Sequence, residues 1–355
     1  MKVTQHVLPA PETEWPKDGV ETIGRCPVCA CPGRSRLYEA LRDNVFFCAP
    51  GLWTLWRCES CRSVYLDPRP TRETIHLAYA RYHTHTPPAP AQPTRELPAY
   101  RKVRRALANG YRNWRYGTNH RPASRLGIAA ALALPSSRRR IDLDFRYLPH
   151  AANTGGRRVL DIGFGSGAFL EYAASAGWQA CGCDPDALAV ASGRARGLNV
   201  RHGGVEAFAD AAGAFDAITL SHVIEHVHDP RGCLSLVLRL LRPGGWLYID
   251  TPNIDALGHE EYGRFWRGLE PPRHLVLLNW SSCKQMLVEA GFVSIAPKTR
   301  FDMIDGMGLS SARIANGTDP YGSSPARQPG TFLRLRSRLS NGRSEFITLT
   351  CRKPE

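Results

Sequence analysis

The sequence predicts an α/β fold in which a mostly parallel sheet of seven strands carries helices on both faces, preceded by a small cysteine-rich module. From Arg157 onward, short apolar runs alternate with stretches of helical periodicity, which is typical of parallel strands joined by crossover helices. A glycine-rich turn follows the first of these strands. Six of the eleven cysteines fall within residues 25–70, which sets that segment apart from the sheet.

The 355 residues are enough for two compact units with connecting segments. Composition divides the chain into a loose arm (1–24), the cysteine-rich module (25–70), a basic helical and linker segment (71–150) and the sheet domain (151–355). Within the basic segment, the Pro-rich residues 83–100 predict a linker and residues 101–117 predict a basic helix.

Two Cys-x-x-Cys pairs, Cys26/Cys29 and Cys58/Cys61, are separated by 28 residues. Two such pairs supply the four thiolates of a tetrahedral zinc site, and the surrounding residues resemble a zinc ribbon. Four protein ligands leave no open position, so the predicted zinc is structural. Cys31 and Cys48 do not fit the spacing. The alternative is two pairs of buried thiols without a metal.

The formal net charge of +14 is unevenly distributed, because residues 71–150 hold 15 basic and 4 acidic side chains. Residues 151–320 hold 15 basic and 18 acidic side chains, so the sheet domain is slightly acidic. The basic segment can attract nucleic acid, anionic lipid or a phosphorylated substrate. The simpler interpretation is a solvated arginine-rich face.

The N-terminal residues lack the apolar stretch of a signal peptide. The longest apolar run, near Gly127–Leu134, is too short to cross a bilayer. We therefore expect no membrane span and a cytoplasmic location. In a reducing compartment, cysteines are metal ligands or buried thiols before they are disulfides.

The elements of the sheet domain follow from its apolar runs and helical stretches. The predicted strands are Arg158–Ile162, Gln179–Cys183, Asn199–His202, Ala214–Leu220, Trp246–Asp250, Val293–Pro297 and Phe346–Cys351. The predicted helices are Gly167–Ala176, Asp186–Arg196, Gly204–Ala211, Pro230–Leu241 and Ser281–Ala290. Residues 301–343 have a Gly/Ser content that suggests a mobile lid between the last two strands.

The turn after the first strand contains Gly163, Phe164, Gly165, Ser166 and Gly167. Glycine has no Cβ and adopts positive φ, so such a turn lets a ligand approach the backbone, and the following helix adds free N–H groups. A dinucleotide-binding turn has the same general shape.

Two acids decide between the possible ligands of this turn. Asp161 lies at the end of the first strand, where a carboxylate would repel a pyrophosphate but suits an ammonium and a sulfonium. Asp184 ends the second strand, where an acid can accept both ribose hydroxyls. The pair favours S-adenosylmethionine over a dinucleotide.

With these motifs the sequence resembles the class I S-adenosylmethionine-dependent methyltransferases, particularly their small-molecule branch. The resemblance is carried by VLDIGFGSGAFL (159–170), CGCDPD (181–186), FDAITLSHVIEHVHDP (215–230), LRPGGWLYIDTPN (241–253) and the GF at 291–292. It covers about residues 155–300 and the last strand, and it implies a Rossmann-like sheet. The cysteine-rich module resembles the zinc-binding unit found before many such domains, including sugar methyltransferases.

The resemblance implies roles for individual residues. The glycine turn and Asp161 would cradle the methionine part of the cofactor, and Asp184 would bind the ribose. The candidate cofactor-binding residues are Asp161, Gly163, Phe164, Gly165, Gly167, Asp184, Ser221 and His222, the last two near the methionine or the transferred methyl. The adenine contacts would fall at Gly204–Glu206, where the local match is weak.

Methyl transfer to a hydroxyl or amine often needs a general base, and histidine suits neutral pH. His222, Glu225, His226 and His228 follow the fourth strand, on the rim where α/β sheets bind ligands. His274 lies in a stretch that related enzymes place over the acceptor pocket, together with Phe265, Trp266 and Arg273. His226 and His274 are the candidate bases. For His226, a capping or sheet-packing role is the alternative.

Three functions remain open from the sequence. The first is methyl transfer to a small molecule such as a sugar, a nucleotide-sugar or a secondary metabolite. The second is RNA methylation that uses the basic segment and the zinc module, although the arginine-rich stretch has few aromatic residues spaced for base stacking. The third is a non-catalytic adaptor that binds cofactor or zinc.

Overall fold

The computed structural model describes residues 14–80, 98–153, 156–298, 300, 303–339 and 342–355. The first five strands are β1 (Val20–Glu21), β2 (Arg34–Leu41), β3 (Trp53–Cys58), β4 (Val64–Leu66) and β5 (Arg69–Pro70). Three helices follow: α1 (Ala99–Tyr116), α2 (Leu126–Ala133) and α3 (Pro135–Asp144). The predicted linker at 83–100 lies mostly outside the described residues.

The second half of the chain alternates strands and helices. Its strands are β6 (Arg158–Ile162), β7 (Gln179–Asp184), β8 (Asn199–His202), β9 (Phe215–Ser221), β10 (Leu241–Pro252), β11 (Val276–Leu277), β12 (Val293–Pro297) and β13 (Phe346–Arg352). Its helices are α4 (Ala168–Ser175), α5 (Ala187–Ala195), α6 (Pro230–Leu240), α7 (Leu257–Tyr262), α8 (Trp280–Glu289), α9 (Met303–Ala315) and α10 (Thr331–Leu339).

Seven of these strands form one sheet in the order β8-β7-β6-β9-β10-β13-β12. Strands β6 to β10 pair in parallel, and β13 runs antiparallel to both β10 and β12. This confirms the predicted α/β fold. After β8 the chain crosses to the other side of β6, so the strand order reverses between β6 and β9. Open α/β sheets bind ligands outside the carboxyl ends of the strands at such a reversal.

The central strands are buried on both faces, as a parallel sheet between two helix layers requires. Along β6, Leu160 and Ile162 enter one apolar cluster and Val159 enters another. Along β9, Ile218 and Ala217 divide between the same two clusters. The core therefore sits on both sides of the sheet, and the ends of the strands remain for polar side chains.

One predicted helix is wrong. Residues 204–211 contain only a 3-10 turn, Val205–Phe208, in place of an α-helix. The segment is bounded by Gly203 and Gly213, both with positive φ, and the backbone N–H of Gly204 bonds to the Glu206 side chain 2.9 Å away. A stretch this short offers too few backbone bonds to offset the cost of helix nucleation.

The cysteine-rich module includes a strand from the second half of the chain. Its sheet has the order β2-β3-β4-β11, and Val276 and Leu277 of β11 pair antiparallel with Tyr65 and Val64. The module also holds part of the predicted loose arm, because Val20 and Glu21 in β1 pair with Pro70 and Arg69. The expectation of a loose arm is therefore wrong for these residues, while residues 1–13 lie outside the described part.

Helices α1 to α3 form a compact unit beside the sheet. A Cβ on Gly110 would lie 1.8 Å from the Ser124 carbonyl oxygen, so α1 and the start of α2 touch backbone to backbone. The hydroxyls of Tyr111 and Tyr116 donate to the buried Asp142 at 2.9 and 2.6 Å. The sequence pattern missed α2 and α3, because the residues of α2 are apolar all round and those of α3 are mostly polar, so neither shows an amphipathic repeat. None of the helices in the described ranges has the length and apolar character that a bilayer crossing demands.

Candidate functional site

The glycine turn connects β6 to α4 at the point where the strand order reverses. Gly163, Gly165 and Gly167 have φ of +69°, +53° and +77°, which a residue with a Cβ adopts only at a cost. A Cβ on Gly163 would lie 2.6 Å from Val223 Cγ2, whereas a Cβ on Gly165 would meet nothing within 4 Å. The turn is therefore closed on the side of Gly163 and open at Gly165, where a ligand can reach the backbone.

Asp161 lies beneath this turn with its side chain fully buried. One carboxylate oxygen, Oδ1, accepts two hydrogen bonds. One comes from the Thr219 hydroxyl at 2.8 Å, and the other comes from the guanidinium of Arg146. The second oxygen, Oδ2, has no hydrogen-bond partner in the described part of the chain. Burial raises the pKa of Asp161, and the guanidinium of Arg146 opposes this. An unpaired buried carboxylate oxygen suits a cationic or N–H-bearing ligand.

Asp184 joins the glycine turn to the end of β7. Its carboxylate accepts from the backbone N–H groups of Gly165 and Asp186, each at 2.9 Å. The side chain of Phe164, in contrast, is buried in the core, where it contacts the positions that a Cβ on Gly182 or Gly193 would take. The turn thus leaves its backbone open at Gly165, with Asp184 bonded to that residue and Asp161 buried beneath, while Phe164 packs the turn onto the core.

A polar cluster follows β9 on the same edge of the sheet. Nδ1 of His222 lies 3.5 Å from a carboxylate oxygen of Glu225, and Nε2 lies 3.3 Å from one of Asp250. Burial disfavours the charged ring, but the bonds to Asp250 and Glu225 prevail and raise the pKa of His222 to about 9. His222 is therefore an imidazolium at neutral pH. Ser221, the last residue of β9, is half-buried beside it.

Asp250 anchors this imidazolium from the neighbouring strand β10. Its carboxylate also accepts from the Thr348 hydroxyl at 2.6 Å and from the guanidinium of Arg300. Burial opposes ionisation, but the nearby Arg300 and the bond from His222 hold the pKa of Asp250 far below its usual range. Asp250 is thus ionised, and its hydrogen bonds hold it in place beside the site.

His226 and His274 pack edge to face, with ring centroids 4.8 Å apart. Nδ1 of His226 lies 3.0 Å from the Arg273 carbonyl oxygen and 3.0 Å from the Tyr79 hydroxyl. Nδ1 of His274 lies 2.8 Å from the Gly268 carbonyl oxygen. A carbonyl oxygen only accepts, so Nδ1 carries the proton in both rings and Nε2 carries the lone pair. His226 is partly exposed, whereas His274 is buried.

The two histidine rings lie beside buried carboxylates, in surroundings that are largely shielded from solvent. Burial lowers the pKa of His274 to about 4, although the carboxylate of Glu270 opposes the shift. Glu225 is fully buried and accepts from the Thr251 hydroxyl at 2.9 Å. Burial disfavours its charge, but the bond from His222 lowers the pKa of Glu225. At neutral pH the cluster therefore combines the neutral ring of His274 with a charged His222–Glu225 pair.

The loop that carries His274 is fixed by an ion network from the cysteine-rich module. Arg273 is fully buried, and its guanidinium donates to Asp43 at 3.0 Å, to the Ala78 carbonyl at 2.8 Å and to Glu270 at 2.9 Å. Asp43 also accepts from four backbone N–H groups at 3.0–3.3 Å, those of Val45, Phe46, Cys48 and Ala49. Arg273 and Asp43 therefore join the module to the site.

Residues 133–296 match a family model described as a methyltransferase domain. The chain carries a methyltransferase domain. Its sheet order, glycine turn and paired acids agree with the class I, S-adenosylmethionine-dependent group.

Curated relatives agree with this assignment over a limited length. The chain is 35% identical over 120 residues to the ubiquinone biosynthesis O-methyltransferase of Chromobacterium violaceum, a match that covers 31% of this chain and 50% of that protein. It is 38% identical over 109 residues to the enzyme of the same name from Burkholderia thailandensis, covering 29% and 47%. The chain thus spans about half the length of the curated relatives it matches.

Among solved structures, the chain is similar to a SAM-dependent methyltransferase from Archaeoglobus fulgidus, with 19% identity and a TM-score of 0.43. The match covers 64% of this chain and 99% of that one.

Two other acceptor-side candidates of the methyltransferase domain lie in different surroundings. Trp266 is 2% exposed and donates through Nε1 to Glu345 at 2.7 Å, so it is part of the core. Phe265 is 40% exposed. His228, which follows the polar cluster, bonds through Nε2 to the Pro70 carbonyl at 3.0 Å and so contacts the module.

The four predicted zinc ligands of the module come together. Their Sγ atoms all lie within 4.8 Å of one another, with Cys26–Cys61 at 3.6 Å and Cys29–Cys58 at 3.5 Å. These separations are far longer than a disulfide and fit the edges of a tetrahedron of thiolates about 2.3 Å from a zinc ion. The hydrogen bond between Cys26 and Cys61 lowers the pKa of the Cys61 thiol and raises the pKa of the Cys26 thiol, and burial raises the pKa of the Cys58 thiol. Cys31 and Cys48 bond to backbone carbonyls elsewhere.

Sequence reasoning missed several polar residues of the methyltransferase domain's site. Arg146 and Tyr79 come from the basic segment (71–150), where no motif marks them. Asp250 carried a signal, since it is an acid at the end of a buried strand, as Asp161 is. Arg300 and Asp43 could not be found, because their importance depends on partners 50 and 230 residues away.

Proposed function

We propose that the chain transfers a methyl group from S-adenosylmethionine to a small-molecule acceptor, such as a sugar, a nucleotide-sugar or a secondary metabolite. The observation that carries the proposal is the glycine turn, open at Gly165 and lying between Asp161 and Asp184 at the strand reversal. The names of the curated relatives, ubiquinone biosynthesis O-methyltransferases, support an oxygen atom as the acceptor.

For the cofactor, we assign the backbone of Gly163, Gly165 and Gly167 to the amino-acid end of the ligand. The unpaired Oδ2 of Asp161 would accept from its ammonium, and the neighbouring Arg146 would bind its carboxylate. Asp184 would accept the ribose hydroxyls. The Gly204–Glu206 turn at the end of β8 is the adenine candidate. When bound, the cofactor supplies an electrophilic methyl group on a sulfonium.

For the acceptor, we assign the general base to His226, supported by His274. Nε2 of His226 carries a lone pair, and the Arg273 carbonyl holds the Nδ1 proton in place. Nε2 of His226 would accept the proton of the acceptor hydroxyl, whose oxygen would take the methyl group in place of the sulfonium sulfur. His274 stays neutral and excludes water beside it. Ser221 and His222 would face the methionine or the methyl group.

We also propose that Cys26, Cys29, Cys58 and Cys61 bind one structural zinc ion. The support is the close approach of the four thiols, since four protein ligands are typical of a structural zinc site.

The experiment is a methylation assay with the purified chain and S-adenosylmethionine against hydroxyl-bearing acceptors. His226→Ala should reduce turnover by ~10²-fold or more while leaving cofactor affinity unchanged. His228→Ala is the matched control, because His228 lies two residues away but bonds to Pro70 of the module. Normal turnover in His226→Ala would remove this residue from the mechanism. Cofactor binding without turnover on any acceptor class would favour the non-catalytic adaptor.

A further inference from the structure

The basic segment before the seven-stranded sheet has an unusual charge pattern. Residues 98–141, which contain α1, α2 and most of α3, hold eleven Lys and Arg side chains and no Asp or Glu. The two acids at the end of α3, Asp142 and Asp144, pair with Arg138 and Arg112, which leaves most of the cations without an acid of this segment beside them. No step of the proposed methyl transfer uses this charge. A region of a single charge sign marks a surface for a partner of the opposite sign.

Helix α2 lies within this segment and has no polar side chain, since its sequence is LGIAAALA. A helix that is apolar all round is normally buried. Here Leu126 is 73% exposed and Leu132 is 57% exposed, as is Leu134, which directly follows the helix. Only Gly127 and Ala131 of α2 are buried, against α1. The helix therefore turns most of its apolar surface outward.

Helix α1 adds three more exposed apolar side chains, Tyr100, Val103 and Trp114. Together with Leu126, Leu132 and Leu134 they make six of the fourteen large hydrophobic side chains that are exposed in the described residues. The remaining eight are spread over the rest of the chain. Exposed apolar surface concentrated in one region marks an interaction site.

The packing of α1 on α2 keeps this surface in place. A Cβ on Gly110 would lie 1.8 Å from the Ser124 carbonyl oxygen, and a Cβ on Gly127 would lie 1.9 Å from the Leu107 carbonyl oxygen. Because the two backbones touch, α2 cannot rotate its outer leucines inward without separating from α1.

We propose that this helical surface, α1 and α2 with the arginines at 138–140, docks on an anionic lipid bilayer. Aliphatic and aromatic side chains flanked by Lys and Arg are the pattern of helices that lie in a membrane interface, with the apolar face inserted and the cations at the headgroups. A second copy of the chain would set eleven cations against eleven others. RNA would use the cations and aromatics but gives no partner to the three leucines. The proposal does not depend on the methyltransferase activity.

The test measures how the purified full chain partitions onto vesicles. Vesicles of phosphatidylcholine with phosphatidylglycerol should retain the chain, and vesicles of phosphatidylcholine alone should retain at least about 10-fold less, since the charge attraction is lost. The triple variant Leu126→Ser, Leu132→Ser, Leu134→Ser should lose about 10-fold or more of its binding to the anionic vesicles. Its matched control is Leu188→Ser, Val288→Ser, Val293→Ser, which removes three exposed aliphatic side chains from the methyltransferase domain and should bind as the wild type does.

Three outcomes would overturn the proposal. One is equal binding to neutral and anionic vesicles, and another is a leucine triple variant that is folded by circular dichroism and binds like the wild type. The third is no vesicle binding at all. In that case, salt-sensitive retention on a single-stranded RNA oligonucleotide would assign the surface to nucleic acid. A concentration-dependent dimer lost in the leucine variant would assign it to a second copy.

Discussion

His222 is held as an imidazolium by two buried carboxylates, and this makes the folded state sensitive to pH. Its pKa rises from 6.5 to about 9, so its contribution to stability is complete below about pH 6.5 and is lost as the pH rises through about 9. Its side chain is 40% exposed, so we expect only about 1–2 kcal/mol after screening by solvent.

The measurement is urea unfolding across this pH range. The wild type should lose this stability between pH 6.5 and pH 9, and His222→Gln should show a flatter profile. His202→Gln, in a histidine that bonds to the Pro185 carbonyl outside the cluster, is the control. Parallel profiles for the wild type and His222→Gln would contradict the assigned charge.

Gly165 gives a direct test of the open side of the glycine turn. Gly165→Ala should lower the free energy of unfolding by about 1 kcal/mol, because it places a Cβ at positive φ. Its methyl group should project into the space assigned to the cofactor. Gly197 is a matched control, since its φ of +77° is also left-handed and a Cβ there meets nothing within 4 Å. By calorimetric titration, only Gly165→Ala should weaken S-adenosylmethionine binding, by at least ~10-fold. Equal affinities in the two variants would place the cofactor elsewhere.

At the scale of elements, the contact between the module and the His274 loop depends on Asp43. Burial disfavours the charge of Asp43, but Arg273 lowers the pKa of its carboxyl, and the two charges are buried together. Asp43→Asn leaves the Arg273 guanidinium short of a counter-charge and should cost roughly 2–4 kcal/mol of stability. It should also lower kcat without changing cofactor affinity, because the Arg273 carbonyl orients His226.

Asp67→Asn separates this positioning effect from a loss of stability. Asp67 is equally buried in the module and accepts from Arg34 and from the backbone N–H groups of Ile23 and Gly24, but it does not touch the loop. Both variants should lower the melting temperature. Only Asp43→Asn should lower kcat and shift the pH profile of the folded enzyme, and matched losses of kcat would show that the network is merely structural.

The elements differ in how well the sequence predicted them. Strands β6, β7 and β9 were predicted to within one residue, because a strand buried on both faces is a continuous apolar run with glycines or acids at its end. Strand β11 has two residues and no pattern of its own, so only its pairing with β4 identifies it. Helices α2 and α3 were not predicted either, because their sequences lack the alternation of polar and apolar faces that identifies a helix.

For the whole molecule, the four cysteines predict a dependence on zinc. The purified chain should contain one equivalent of zinc, and chelation should unfold the module and free β4 from β11, since metal binding and folding are coupled. Hydrogen exchange should then rise in residues 25–70 and also in residues 270–278, although the latter hold no ligand. A metal-free chain with unchanged exchange would rule out the zinc site.

Across the molecule, the cofactor side of the site could be predicted and the remainder could not. Asp161, Asp184 and the glycines lie in short motifs whose physical purpose is local. The surroundings of His226 combine Tyr79 from the basic segment, Arg273 from a distant loop and Glu225 beside it. Such a combination depends on the folded chain, so sequence spacing could suggest the histidines but not their tautomers or charges.

The pairing of β4 with β11 also governs the order in which the protein can be completed during its synthesis. Tyr65 leaves the ribosome more than two hundred residues before its partner Val276. At typical translation rates of 5–20 residues per second, the edge of β4 waits roughly 10–40 s for that partner. During this interval the newly synthesised module exposes an unpaired strand edge, with which strands of neighbouring chains can pair. Slow synthesis or a crowded polysome should therefore favour aggregation through β4, and early zinc loading alone would leave that edge open.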